Sequence, residues 1–256
     1  MKLLLDLGNT RLKWALQSQP GAWLAQGAAD WNQDIAAALD QAWAGLPHPT
    51  MVVAASVVDD RREAQVSASV AKQFNSKLHW LRTPASACGV RNAYAEPERL
   101  GVDRFLAMVA AHADGCAPCV LASVGTALTL DALAADGRHL GGLIAPGPQL
   151  MQQSLLDATV RVRLERPGEI LELADNTADA VASGCWQAAA ALVERFATRM
   201  AMRLGSASLA PALVLGGGGA AVLLPLLSLP VRLSHDGVLR GLAVWADTQV
   251  ATALPS

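Results

Sequence analysis

An acid at the end of an apolar strand, followed at once by a turn, opens the chain: Met1-Lys-Leu-Leu-Leu-Asp6-Leu7-Gly8-Asn9-Thr10-Arg11-Leu12-Lys13. Glycine lets a backbone approach a ligand closely, and turn N–H groups with a threonine hydroxyl form an anion cradle. A carboxylate beside such a cradle would repel a bare phosphate. Asp6 therefore implies a cation between them, most simply Mg²⁺ held through water, because hard cations take oxygen ligands. Lys13 adds a positive charge within reach of the phosphates. The pattern returns in Cys119-Val-Leu-Ala-Ser123-Val-Gly125-Thr126-Ala-Leu-Thr129-Leu-Asp131. Each copy reads as an apolar strand, a glycine turn and an alternating strand, which is a β-hairpin. Asp, Asn and Gly favour turns for local reasons, so one copy alone carries little. The repetition points to a duplicated fold closing on a nucleoside triphosphate.

A second run, Asn92-Ala-Tyr94-Ala-Glu-Pro97-Glu-Arg-Leu100-Gly101-Val102-Asp103-Arg104, places an acid where a helix begins. Asp103 is either an ordinary N-cap or a carboxylate base poised to take a hydroxyl proton. Beside it, Arg104 could hold an anionic substrate group. Tyr94, the only tyrosine, is a plain loop aromatic or a hydroxyl aimed at substrate.

These residues need elements to carry them. Helices are expected over 34–44, 60–74, 103–113, 150–156, 177–203 and 239–248, and further strands over 51–58, 77–81, 140–144 and around Leu213. Residues 85–99 read as loop and 161–172 as a polar connection. A boundary near 115 gives two α/β halves, 1–115 and 116–256, with a cleft between them.

Composition excludes several classes. A length of 256 residues, 52% of them hydrophobic and 16% charged, argues against disorder. The net charge of −2 offers no footprint for nucleic acid or an anionic membrane. No secretory signal opens the chain, so a cytoplasmic protein is expected. The uncharged stretch 204–231 is long enough to span a bilayer, but Gly216 to Gly219, Pro211, Pro225 and Pro230 break it into pieces. Cys116-Ala-Pro-Cys119 has redox or zinc spacing, yet no second pair completes a metal site, so reduced structural cysteines are expected.

In order along the chain stand Asp6-x-Gly8-Asn9-Thr10, Tyr94-x-x-Pro97-x-x-Leu100-Gly101-x-Asp103-Arg104, Gly125-Thr126-Ala127-x-Thr129-x-Asp131, Gly141-Gly142-x-Ile144-x-Pro146-Gly147, and Asn176-Thr177-x-x-Ala180-x-x-Ser183-Gly184. With Asp236-x-x-Leu239-x-Gly241-Leu242 they span nearly the whole chain. Each is weak; the ordered set resembles the type III pantothenate kinase family. The resemblance implies a duplicated ribonuclease H-like fold of the actin and sugar-kinase superfamily, transferring the ATP γ-phosphate to the primary hydroxyl of pantothenate, the first step of coenzyme A biosynthesis. It implies that Asp6, Leu7, Gly8, Asn9, Thr10, Arg11, Leu12 and Lys13 form a first phosphate loop and that Thr126 belongs to a second. Asp103 resembles the catalytic base, and Tyr94, Gly101, Val102 and Arg104 the pantothenate pocket. Thr177 resembles a threonine that reaches substrate across a homodimer interface, although it could equally cap its helix with Asn176.

The chain departs from the family at Ser123, where many members carry an acid that holds a monovalent cation (K⁺ or NH₄⁺). A serine cannot compensate a cation's charge, so potassium dependence is expected to be weak unless Asp131 substitutes. Three rivals are weighed. A dinucleotide fingerprint at Gly216-x-Gly218-x-x-Ala221 lies too near the C-terminus for a full set of strands; in the kinase reading these glycines approach the adenosine instead. A non-catalytic nucleotide-binding transcriptional accessory protein is disfavoured by Asp6, Asp103, Arg104 and Thr177. A phosphohydrolase is disfavoured by the Tyr94 pocket.

Overall fold

The computed structural model describes residues 1–159, 166–205 and 211–253. The chain divides into two compact units, residues 1–115 with 236–256, and residues 116–235.

The first unit opens with strands β1 (Lys2–Leu7), β2 (Arg11–Gln19) and β3 (Ala22–Asp30), then α1 (Ile35–Trp43), β4 (Met51–Ser56), α2 (Asp60–Phe74) and β5 (Leu78–Leu81). A short hairpin follows, β6 (Ser86–Ala87) and β7 (Val90–Arg91), then a 3₁₀ turn at Pro97–Arg99 and α3 (Val102–Ala113). The five main strands lie in the order β3-β2-β1-β4-β5. β1 pairs antiparallel with β2 and parallel with β4, so it sits mid-sheet and is apolar on both faces. Alternation sorts its side chains. Leu3, Leu5 and Leu7 meet Ile35, Leu39, Trp43, Val66, Val70 and Phe74 of α1 and α2, and Leu4 faces the opposite layer. The i, i+4 spacing of those helical residues makes each helix amphipathic, and Asp34 and Asp59 cap the two N-termini through their side chains.

The second unit repeats the plan: β8 (Cys119–Val124), β9 (Ala127–Leu133), β10 (His139–Pro146), α4 (Pro148–Ala158), α5 (Thr177–Arg203), β11 (Ala212–Gly216), α6 (Ala220–Leu223) and β12 (Val231–Leu233). Its sheet order is β10-β9-β8-β11-β12, again three antiparallel strands followed by two parallel ones. The duplication expected from the two hairpins is present strand for strand. Trp186, Ala189, Val193 and Phe196 of α5 pack on Val120, Val124, Leu128 and Leu130. The last helix, α7 (Gly237–Ala253), returns to the first unit.

Several expectations need correction. The sequence boundary assigns everything after 115 to the second half, whereas α7 lies on the first sheet beside α3. There Leu239, Leu242, Ala243 and Ala246 bury Leu4, Val53 and Leu106. An apolar helix face does not announce which sheet it will cover. Leu213 is not in the last strand, because β12 follows it. The loop expected over 85–99 contains the β6–β7 hairpin, turned by Cys88 and Gly89, both at positive φ. Of the expected connection 161–172, residues 161–165 lie outside the described residues, as do 206–210 of the uncharged stretch. Among the described residues no helix is long and apolar enough to cross a membrane. All four cysteines are free. Burial pushes the Cys119 thiol up to about 12, with the neighbouring Cys116 adding to the shift, which leaves a poor nucleophile.

Candidate active site

Strand alternation places the first cluster. Asp6 lies on the α3–α7 face of β1 with Leu4, and its cross-strand partner Lys13 lies on the same face of β2 as Ala15. α3 starts at Val102 and α7 at Gly237, so Asp103 and Asp236 stand at helix N-termini on this face. Lys13 Nζ lies 3.2 Å from Asp236 Oδ1. Burial raises the Asp6 carboxyl to about 7, helped by the negative charges of Asp103 and Asp236 and opposed by Lys13. Although Asp6 keeps some exposure, three acids sharing one lysine make its ionisation costly. A cation at this point would relieve that cost.

The Gly8 turn is narrower in its chemistry than the sequence suggests. Gly8 N–H donates to the Arg11 carbonyl at 3.1 Å, which closes the turn and removes one N–H from the expected cradle. Gly8 O accepts from Trp31 Nε1 at 2.7 Å, and the Arg62 guanidinium stacks on the Trp31 ring at 5.0 Å. Asn9 and Thr10 are exposed. Arg11 is exposed and faces Asp30 at 3.8 Å. Leu7 and Leu12 are fully buried core residues, so only their backbone could meet a ligand, and Leu7 O already accepts from Val57 N–H.

The substrate run is ordered by its own hydrogen bonds. Asn92 Oδ1 accepts from Tyr94 N–H at 2.9 Å, and Asn92 Nδ2 donates to Pro97 O at 3.0 Å. The Thr83 hydroxyl holds Leu100 O at 2.7 Å. Arg104 is buried; its Nη1 donates to the Tyr94 hydroxyl at 3.2 Å, and its guanidinium lies 5.9 Å from the Tyr94 ring centre. The N-cap reading of Asp103 fails. Gly101 holds the cap position without a side-chain bond, and Asp103 is the second residue of α3, its Oδ1 accepting from Arg104 N–H at 2.8 Å. Val102 packs into the core.

In the second unit, Thr126 is exposed on the turn between β8 and β9. Ser123 is exposed two residues before Gly125. Asp131 is buried and its Oδ1 lies 2.9 Å from His139 Nε2, so it is committed to His139 and is a poor substitute for the missing acid. Asn176, not Thr177, caps α5, accepting from Asp179 N–H at 3.1 Å. Asp179 is gripped by Arg166 through two 2.8 Å bonds and by Glu169 N–H at 2.7 Å. These bonds hold its carboxyl well below the usual range, with Arg166 the largest cause. Thr177 is exposed and lines a cavity of about 620 Å³ with Leu155, Ala180, Val181, Gly184 and Cys185.

The site therefore joins Asp6, Lys13 and Asp103 as the sequence expects, and adds Asp236 and Trp31, which sequence reasoning does not assign. Trp31 directly follows the edge strand β3, with no pattern to mark it. Asp236 opens the last motif of the ordered set, which gives it no role at the site.

Residues 2–199 match the type III pantothenate kinase family. The chain belongs to that family. It is 41% identical over 249 residues to the type III pantothenate kinase of Laribacter hongkongensis, covering 95% of this chain and 97% of the relative. Solved structures share the fold at lower identity. A candidate Baf family transcriptional activator from Campylobacter jejuni has a TM-score of 0.58 at 17% identity, covering 97% and 99% of the two chains. A candidate 2-dehydro-3-deoxygalactonokinase from Sinorhizobium meliloti has a TM-score of 0.56 at 16% identity, covering 100% and 98%. Those structures share the fold of this chain, which is a type III pantothenate kinase.

Proposed function

We propose that the Asp6, Lys13, Asp103 and Arg104 constellation carries the ATP-dependent phosphorylation of pantothenate that defines the family. The observation that carries this assignment is the gathering of Asp6, Lys13 and Asp103 on one sheet face, with Arg104 beside Asp103 at the start of α3 and bonded to Tyr94 of the preceding loop. Phosphoryl transfer spreads negative charge over the transferring group, so positioning and electrostatics do most of the work. Lys13 offsets charge on the nucleotide phosphates, and the Gly8 turn and Thr126 bind them. Asp103 accepts the hydroxyl proton and aligns the attacking oxygen. Tyr94, Gly101, Val102 and Arg104 form the pantothenate pocket, where the Arg104 guanidinium suits the carboxylate.

Mg²⁺ fits the donor set of this face. Asp6 is a hard oxygen ligand whose carboxyl is raised first by burial and then by the neighbouring acids Asp103 and Asp236, and Mg²⁺ commonly takes one or two carboxylates with water and substrate phosphates. Among the described residues no group of three acids, histidines or cysteines is arranged to hold a metal alone, which agrees with a metal that arrives with its nucleotide. Asp6, through water, would hold it, and when bound it would offset phosphate charge.

A homodimer is part of this reading. Ala180, Gly184, Ala188 and Ala191 of α5 are exposed small residues on one stripe, suited to close helix contact, and Thr177 lies at its start. The experiment that tests the function is ATP turnover with Mg²⁺, with and without pantothenate. Turnover only with pantothenate is expected. Equal hydrolysis without it would make the protein a phosphohydrolase, and none in either case a binding protein.

A further inference from the structure

The turn at Gly125-Thr126 is held by two other loops of its own unit, and both make contact through glycines. Gly147, between β10 and α4, donates its N–H to Thr126 O at 2.8 Å. Its Cα lies so close to the turn that an added Cβ would stand 2.0 Å from Gly125 O and 2.9 Å from Thr126 O. On the other side, Gly219 N–H donates to Val124 O at 2.9 Å. Gly217 has φ +88°, and a Cβ there would stand 2.4 Å from Val124 O and 2.6 Å from Val124 N. The remaining acceptor, Ala127 O, takes the Gly125 N–H at 3.0 Å.

Four successive carbonyls of the turn are thus directed at protein: Val124 O to Gly219, Gly125 O and Thr126 O to Gly147, and Ala127 O to Gly125. Carbonyl oxygens repel phosphate oxygens, so their orientation decides whether a turn can accept an anion. In a trans peptide the N–H of one residue points opposite the preceding C=O. With Gly125 O against Gly147, the Thr126 N–H is directed away from Gly147. Neither contact tolerates a side chain, because the nearest atoms are backbone and cannot swing aside.

We propose that Gly147 and Gly217 are positioning residues for nucleotide binding, which seat the Val124–Thr126 turn and keep its carbonyl oxygens off the phosphate side. The inference rests on the assignment of Thr126 to the nucleotide. Both glycines act through the turn they pack against.

The test compares Gly147→Ala, Gly217→Ala and Thr126→Ala in the full-length protein. The glycine variants should raise the KM for ATP at least tenfold while leaving the KM for pantothenate within about twofold. A purely structural role would lower the amount of active enzyme, and so the maximal rate, without moving KM. A folded Gly147→Ala variant with wild-type KM for ATP overturns the inference if Thr126→Ala raises that KM. If Thr126→Ala has no effect, the nucleotide assignment itself fails. Should the glycine variants not fold, amide exchange in the unaltered protein decides. A non-hydrolysable ATP analogue with Mg²⁺ should slow exchange at the Gly147 and Gly219 amides severalfold, since a ligand that binds the seated turn opposes its opening. Unchanged exchange at both would overturn the proposal.

Discussion

The two glycine turns occupy equivalent places, each joining the first and second strands of a five-stranded sheet, yet they are held by opposite means. The Gly8 turn rests on a side chain, the Trp31 indole with Arg62 stacked on it, and borders three acids and a lysine. The Gly125 turn rests on glycine backbone and has no charge at the matching position, for Ser123 stands two residues before Gly125 as Asp6 stands two before Gly8. Duplication copied the backbone plan and left the electrostatics to one copy. The first turn therefore sits among charged side chains, and the second is fixed by close backbone packing.

The sharpest way to break this comparison is to remove the charges. Asp103→Asn keeps the shape and should lower kcat by about a hundredfold or more, with the fold intact by circular dichroism. Wild-type kcat under conditions where chemistry limits the rate would take the base role from Asp103.

Asp6→Asn should lower kcat by at least tenfold and at the same time stabilise the protein. The folded carboxyl titrates near 7 against an ordinary value of 3.8, so the native state binds more protons than the unfolded state between those values. Stability then falls as pH rises from about 4 and the cost is complete above about 7. The Tm gap favouring the variant should open across that window and be widest at pH 8. A gap constant from pH 4 to 8 would show that Asp6 is not strained. Such a trade of stability for activity is common at functional sites.

Trp31→Phe tests the buttress of the first turn. It keeps an aromatic side chain but loses the indole N–H and with it one neutral hydrogen bond, worth about 1 kcal/mol, so the KM for ATP should rise about fivefold with kcat nearly unchanged. Because the Gly125 turn has no such side-chain support, no aromatic substitution in the second unit should mimic this.

The smallest effect concerns the missing acid. Exchanging potassium for sodium at constant ionic strength should change turnover by less than about twofold, and Ser123→Asp should introduce a saturable potassium response. Strong activation already present in the unaltered protein and abolished by Ser123→Ala would show that a neutral oxygen suffices there.

Much of this was legible in the residues. The hairpins announced themselves by period, and α2 and α5 by i, i+4 spacing with capping acids or amides. Asp6 and Lys13 stood out because charged residues in apolar runs need a reason, and Asp103 because it begins a helix beside Arg104. What was hidden depends on packing between distant segments. β3 carries Ala, Gly and Gln at an edge and has no clear alternation, and β12 is only three residues long. The Trp31 bond and the Gly147 contact exist only once the chain is folded, since nothing local distinguishes that tryptophan or that glycine. Asp103 stands at a helix start as expected, and of its two alternative readings the N-cap is excluded because Gly101 holds the cap position.

The return of α7 to the first sheet has a consequence for the order of assembly on the ribosome. Residues 116–235 form a contiguous unit and can condense as soon as they emerge. The first unit, although synthesised earlier, lacks the cover that Leu239, Leu242 and Ala246 give to Leu4, Val53 and Leu106 until the last segment is made. Domains usually mature from the N-terminus onward. Here the unit that begins first finishes last, and Lys13 waits for Asp236, 223 residues downstream, before its ion pair can form. Any premature stop before that point leaves Lys13 without its ion-pair partner and one face of the first unit's sheet bare.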